Sequence, residues 1–153
     1  MTKILMVCLG NICRSPLAEG ILKSKVNHSE VFVDSSGTAG YHVGSLPDPR
    51  SIEVAHKHGI DLTNQRCRKF TKMDFEEFDA IYVMDKNNYA NVMALAENDG
   101  QSEKVKLLLG EIDSNIEEVP DPYYGGPDGF DYIYGLIDEA CDKIAKRLKG
   151  GGK

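Results

Sequence analysis

Lys3-Ile4-Leu5-Met6-Val7-Cys8-Leu9-Gly10-Asn11-Ile12-Cys13-Arg14-Ser15-Pro16-Leu17-Ala18-Glu19 is the stretch on which the fold turns. Lys3–Cys8 is too short and too apolar for a surface helix and reads as a buried strand. Gly10-Asn11 breaks it. Ser15-Pro16, followed by Leu17, Ala18, Ile21 and Leu22, reads as a cap, a proline at the first helical position and a periodic apolar face. Strand, glycine-containing loop and helix start then recur as a theme. Further apolar runs stand at Val31–Asp34, Asp79–Met84 and Val105–Leu109, with helix-length segments between them. Asp48-Pro49 opens another helix, and Phe130, Ile133, Ile137, Ala140, Cys141 and Ile144 mark a long amphipathic one that ends before Gly150. The expected fold is α/β: three layers, α/β/α, around a four-stranded parallel sheet of flavodoxin- or Rossmann-like topology. One domain is expected over residues 1–149, with 150–153 as a flexible tail.

In such sheets ligands bind beyond the carboxyl ends of the strands, so Cys8–Arg14, Ser35–Tyr41, Asp85–Asn88 and Pro120–Gly129 are where chemistry is expected. Cys8 stands at a strand end, with five residues between it and Arg14-Ser15. Amides of Leu9, Gly10, Asn11, Ile12, Cys13, Arg14 and Ser15, curled ahead of a helix N-terminus, form a nest for a tetrahedral oxyanion. Gly10 and Asn11 are expected to supply left-handed backbone to the curl. Arg14 offers a planar fork that a lysine cannot reproduce. These charges and dipoles favour the Cys8 thiolate, a nucleophile, and Ser15 can donate a hydroxyl hydrogen bond to the same sulfur.

Net charge is −6, from 18 Lys plus Arg against 24 Asp plus Glu. Nucleic-acid binding is therefore not expected, and an anion must be held by local geometry. No long apolar run or signal peptide is evident, so membrane insertion is not expected. The chain reads as cytoplasmic with its four cysteines reduced. His56 and His58 lie two apart on a probable helix and do not face one way, so no metal site is expected. The charge cluster Asp74–Asp79 and the pair Glu117-Glu118 read as solvated faces.

The loop resembles the signature of the low-molecular-weight protein tyrosine phosphatases. The resemblance continues through Asp34-Ser35-Ser36-Gly37-Thr38, His58-Gly59-Ile60, Val83-Met84-Asp85 and Asp121-Pro122-Tyr123-Tyr124, across essentially the whole chain. It implies hydrolysis of phosphotyrosine in proteins or peptides through a cysteinyl-phosphate on Cys8, inhibition by phosphate and other oxyanions, and no cofactor. A monomer or weak dimer is expected. It implies that Asp121, between two prolines, is general acid and then base; an Asp in that setting is otherwise a turn residue. Tyr41 and Tyr123 are implied to flank the substrate ring, with Leu9 and Ile12 shaping the pocket, although plain packing would also account for the tyrosines. Related protein-arginine phosphatases favour Thr at the position of Ile12. Asn11 and Ser35 are implied to brace the loop, with Gln65 where relatives often carry a histidine. Asp85 either braces the loop or caps a helix. Cys13 is implied to be a redox partner of Cys8, or else a buried spectator, and Cys67 and Cys141 read as packing residues. Thioredoxin-coupled arsenate reductases share the loop but need a further closely spaced cysteine pair. A non-catalytic phosphate-binding module would not need Cys8 and Asp121 together.

Overall fold

The computed structural model describes residues 1–113, 115–122 and 128–149. Four strands, β1 (Thr2–Cys8), β2 (Val31–Gly37), β3 (Ala80–Val83) and β4 (Val105–Leu107), form one parallel sheet in the order β2-β1-β3-β4. The helices are α1 (Arg14–Lys23), α2 (Pro49–Lys57), α3 (Met73–Glu77), α4 (Lys86–Met93), α5 (Asp99–Ser102) and α6 (Asp128–Lys149), with a 3-10 turn at Leu108–Glu111.

Both faces of the sheet are buried, and period-two alternation along each strand divides the core. Ile4 and Met6 of β1, Val31 and Val33 of β2 and Tyr82 of β3 face α1 and α6. Leu5, Val7, Ile81 and Val83 face Phe75 and Val92 of α3 and α4. The three-layer expectation is met. α6 buries Phe130, Ile133, Ile137, Ala140, Cys141 and Ile144 as its periodicity requires.

Two local expectations change. α1 begins at Arg14, capped at Cys13 without a side-chain bond, so Ser15 lies inside the helix instead of capping it. β2 runs three residues past Asp34, which puts Ser35, Ser36 and Gly37 within the sheet. Asp48 caps α2 as expected, accepting from the Arg50 amide, with Pro49 first in the helix. Strand order reverses between β1 and β3, and the carboxyl ends of these strands open on Cys8 and on Met84-Asp85.

Candidate active site

The loop from Cys8 to Arg14 is drawn outward by its carbonyls. Cys8 O accepts from Thr38 N, Leu9 O from Ala39 N, and Ile12 O from Asp48 N, at 2.9, 2.9 and 2.8 Å. Asn11 O accepts from the Cys67 thiol at 2.8 Å, and Cys13 O from the Ser51 hydroxyl at 3.2 Å. No peptide bond among the described residues is cis. In a trans peptide the following N–H points opposite to its C=O, so the amides of Leu9, Gly10, Ile12, Cys13 and Arg14 turn inward. None of the amides from Leu9 to Arg14 has a partner among the described residues. Five inward N–H groups ahead of a helix form an anion cradle.

Asn11 alone among the described non-glycine residues has positive φ, at 58°. Gly10 does not, contrary to the expectation of two left-handed residues. Its missing Cβ makes room instead for His42, whose Cδ2 would lie 3.2 Å from such an atom. Asn11 is tied at both ends of its amide. Its Nδ2 donates to Ser15 Oγ (2.8 Å) and Ser35 Oγ (3.0 Å), and its Oδ1 accepts from Arg68 N (2.9 Å).

These bonds orient the hydroxyl beside the thiol. Ser35 donates to Glu19 Oε1 at 2.6 Å, which leaves its oxygen to accept from Asn11. Ser15 Oγ likewise accepts from Asn11, so its own proton is free to turn to Cys8 Sγ, 3.1 Å away, in preference to the longer contact with Ser36 O at 3.4 Å. Lys23 closes the chain on Glu19 Oε2 at 2.5 Å. Burial pushes the Glu19 carboxyl up despite Lys23 and Ser35. Glu19 therefore fills the place expected for Gln65, which donates instead to Pro16 O at 3.0 Å.

Arg14 is 3% exposed, and one guanidinium nitrogen donates to Asp85 Oδ2 (2.7 Å) and Val119 O (2.9 Å). Burial works against its charge, but the negative charge of Cys8 and the Asp85 carboxylate outweigh that and raise its pKa. Asp85 does both of the things weighed for it, since Oδ1 also accepts from Asn88 N to cap α4. The other Arg14 nitrogen lies 3.9 Å from Asp121 Oδ2.

A cavity of about 210 Å³ opens over the loop. Cys8, Leu9, Ile12, Cys13, Arg14, Tyr41 and Asp121, all expected here, line it together with His42, which was not. Tyr41 presents its ring edge-on to His42, with centroids 6.4 Å apart. Tyr123 and Tyr124 lie outside the described residues. Cys13 is buried, and that burial, with the charges of Asp48 and Cys8, pushes its thiol up to about 12.

Several supports were not legible as such. Cys67 is not mere packing, because its thiol meets the loop carbonyl of Asn11. Arg68, which holds Asn11 Oδ1, is itself fixed by Asp34 at 3.1 Å and by two bonds of 3.1 Å to Asp74. Asp74 is buried, which corrects the reading of Asp74–Asp79 as a solvated face. Glu117 and Glu118 are exposed as expected. His58 stacks on Tyr134 at 3.9 Å, and no cluster of metal-ligating side chains occurs among the described residues.

A parallel sheet carrying an oxyanion loop with a cysteine at its base and an arginine at its close is the architecture of a cysteine-dependent phosphatase. Residues 3–152 match the family described as low molecular weight phosphotyrosine protein phosphatase, and the chain belongs to that family. A Schizosaccharomyces pombe protein of that name is 44% identical, over 97% of this chain and 99% of its own. The crystal structure of a protein tyrosine phosphatase from Entamoeba histolytica, with Hepes in its active site, superposes with a TM-score of 0.92 at 35% identity, covering 99% of both chains. A Drosophila arginine phosphatase superposes at 0.89 and 34% identity, over 97% of this chain and 98% of its own. No helix among the described residues is long and apolar enough to cross a membrane.

Proposed function

We propose that this protein is a cytosolic protein-tyrosine phosphatase that hydrolyses phosphotyrosine monoesters, and small aryl phosphates with them, through a cysteinyl-phosphate on Cys8. The observation that carries this reading is the peptide ring itself: carbonyls pulled outward, amides turned inward, with Cys8, Arg14 and Asp121 on one cavity.

The Cys8 thiolate attacks phosphorus in line with the phenolic oxygen. The bond from phosphorus to that oxygen breaks, and its electron pair leaves on the phenol. A phenol has a pKa near ~10, so the leaving oxygen needs a proton, and Asp121 in its acid form supplies one. The inward amides and the guanidinium, whose plane Asp85 and Val119 fix in advance, take the charge on the non-bridging oxygens. Water then attacks the cysteinyl-phosphate and gives its proton to Asp121. The sulfur–phosphorus pair returns to Cys8, where the Ser15 hydroxyl receives it as thiolate. Leu9, Ile12 and Tyr41 wall the ring of the substrate. Ile12 and the aromatic wall suit an aryl ester better than a guanidinium phosphate. Cys13, on the same cavity, is the thiol that resolves oxidised Cys8.

The test is turnover of phosphotyrosine, phosphoserine and phosphoarginine peptides by wild type, Cys8→Ser and Asp121→Ala. Wild type should prefer phosphotyrosine, and Cys8→Ser should bind phosphate without turnover. Asp121→Ala should lose far more rate on poor aryl leaving groups than on activated ones. A phosphoarginine preference, or activity surviving in Cys8→Ser, would overturn the reading.

A further inference from the structure

Resting on that reading, we infer that the substrate carries apolar residues next to its phosphotyrosine. A cavity of about 210 Å³ is smaller than the roughly 300–1,000 Å³ of pockets that enclose a whole drug-sized ligand. The phosphorylated ring fills it, and the neighbouring residues of a peptide must lie across its rim.

The rim is built from the segment joining β2 to α2. From Ser35 to Pro47 the chain contains no Lys, Arg, Asp or Glu, although 27% of the whole chain is charged. Tyr41, Val43 and Leu46 in this segment are 76, 62 and 47% exposed, and Leu9 from the phosphate loop beside it is 41% exposed. Leu9 and Tyr41 line the opening itself, and Val43 and Leu46 follow two and five residues after Tyr41 in the same uncharged segment; large apolar side chains held in water beside a site mark a binding surface. The segment is also fixed in shape. Gly44 N donates to Cys67 O and Cys67 N to Ser45 O, both at 2.8 Å, and Ser45 N donates to His42 O at 2.9 Å. Gly44 turns the chain at φ 87°, and Val43 packs back toward Gly40. A preformed apolar rim loses little entropy when a peptide settles on it.

The facing wall has the opposite character. Val119 O touches Arg14, and the same segment brings the 40% exposed Asp121 side chain onto the cavity, while Glu117 and Glu118 turn to Lys86, through an ion pair at 3.7 Å and a bond from its amide at 2.7 Å. Acidic residues flanking the phosphotyrosine find no counter-charge between Ser35 and Pro47. Valine, leucine or isoleucine beside the phosphotyrosine covers Val43 and Leu46 instead.

Three phosphotyrosine peptides that differ only in the two residues on either side, all Leu, all Ser or all Glu, provide the test. They are assayed with wild type and with Val43→Ser/Leu46→Ser, and a small aryl phosphate reports the chemistry alone. Wild-type kcat/KM should be roughly three- to ten-fold higher for the Leu peptide than for the others, as part-burial of one or two aliphatic side chains implies. The double variant should lose that preference and keep its aryl phosphate rate. Val43→Glu should shift preference toward a fourth peptide bearing Lys at the same positions. Equal rates on the three peptides, or a Leu preference that survives in the double variant, would overturn the inference. So would a preference for the Glu peptide, which would mean that Lys69, whose stem packs against Gly40, governs the rim. Failure of wild type on the aryl phosphate would count against the phosphatase reading itself.

Discussion

Gly37→Ala adds one methyl group where β2 passes under the phosphate loop. Gly37 ends β2 opposite Cys8, its N–H donates to Arg68 O, and its carbonyl accepts from Phe70 N at 2.7 Å. Its φ is not positive, so alanine meets no backbone penalty and the effect is steric alone. The new Cβ would stand 2.7 Å from Leu9 O and 2.9 Å from both Asn11 N and Gly10 C. All three are backbone atoms that cannot swing away. Ordinary contact begins at 3.4 Å, so loop and strand must part by about 0.5–0.7 Å. Overpacking of this kind costs ~1–3 kcal/mol of stability. A misplacement of ~1 Å costs on the order of a hundred-fold in rate, so about half of it should lower kcat/KM roughly ten-fold. Aryl phosphate kinetics, vanadate inhibition and urea unfolding read these effects, and vanadate should weaken in step with turnover. Gly135→Ala is the control, since nothing lies within 4 Å of its Cβ. On an exposed helix position it should stabilise by up to ~1 kcal/mol and leave the kinetics alone. If folded Gly37→Ala kept wild-type kcat/KM and vanadate affinity, the argument that β2 fixes the loop would fail.

The remaining predictions concern groups around the thiol. Oxidation of Cys8 to a sulfenic acid removes the negative charge that helps hold Cys13 as a thiol, and condensation of the two gives a disulfide and water. Peroxide inactivation should therefore be reversed by dithiol in wild type and much less in Cys13→Ala; equal recovery would refute the pairing. Glu19 has a raised folded pKa, so the stability it contributes is present below its unfolded pKa and is lost as pH rises through the folded one. Wild type should thus lose stability relative to Glu19→Gln as the pH rises above the ordinary carboxylate range. Glu19→Ala, which leaves Ser35 without its charged acceptor, should cost ~1.5–3 kcal/mol at pH 7. Parallel pH curves for wild type and Glu19→Gln would show that the carboxyl does not titrate as its burial demands.

What could be read in advance was what depends on neighbours in sequence. β1 declares itself by an unbroken apolar run, α6 by its 3.6-residue period, and the oxyanion loop by Cys8, Arg14 and the helix start all lying within eight residues. The start of α1 was misplaced because Ser15 obeys the site rather than capping preference. Its hydroxyl is drawn to the sulfur and to Asn11, so the helix begins one turn-fraction earlier, at Arg14. What could not be read was everything fixed by distant pairing. Glu19 looks like any polar helix residue until β2 brings Ser35 against it, and Asp74 looks solvated until Arg68 folds over it. Gly37 shows no turn signature because its reason for being glycine is the backbone of another segment.

The anion site explains how an acidic chain of net charge −6 can hold phosphate. Side-chain charge contributes one buried guanidinium, and Asp85 already neutralises it. Cysteine, serine and backbone donors from three separate segments hold the loop carbonyls away from the cavity, and that arrangement turns neutral peptide dipoles into the positive end of the site. Composition counts charges and cannot register such a site. It is lost if the outward acceptors are disturbed, even with Cys8 and Arg14 intact, and Gly37→Ala disturbs them without touching either residue.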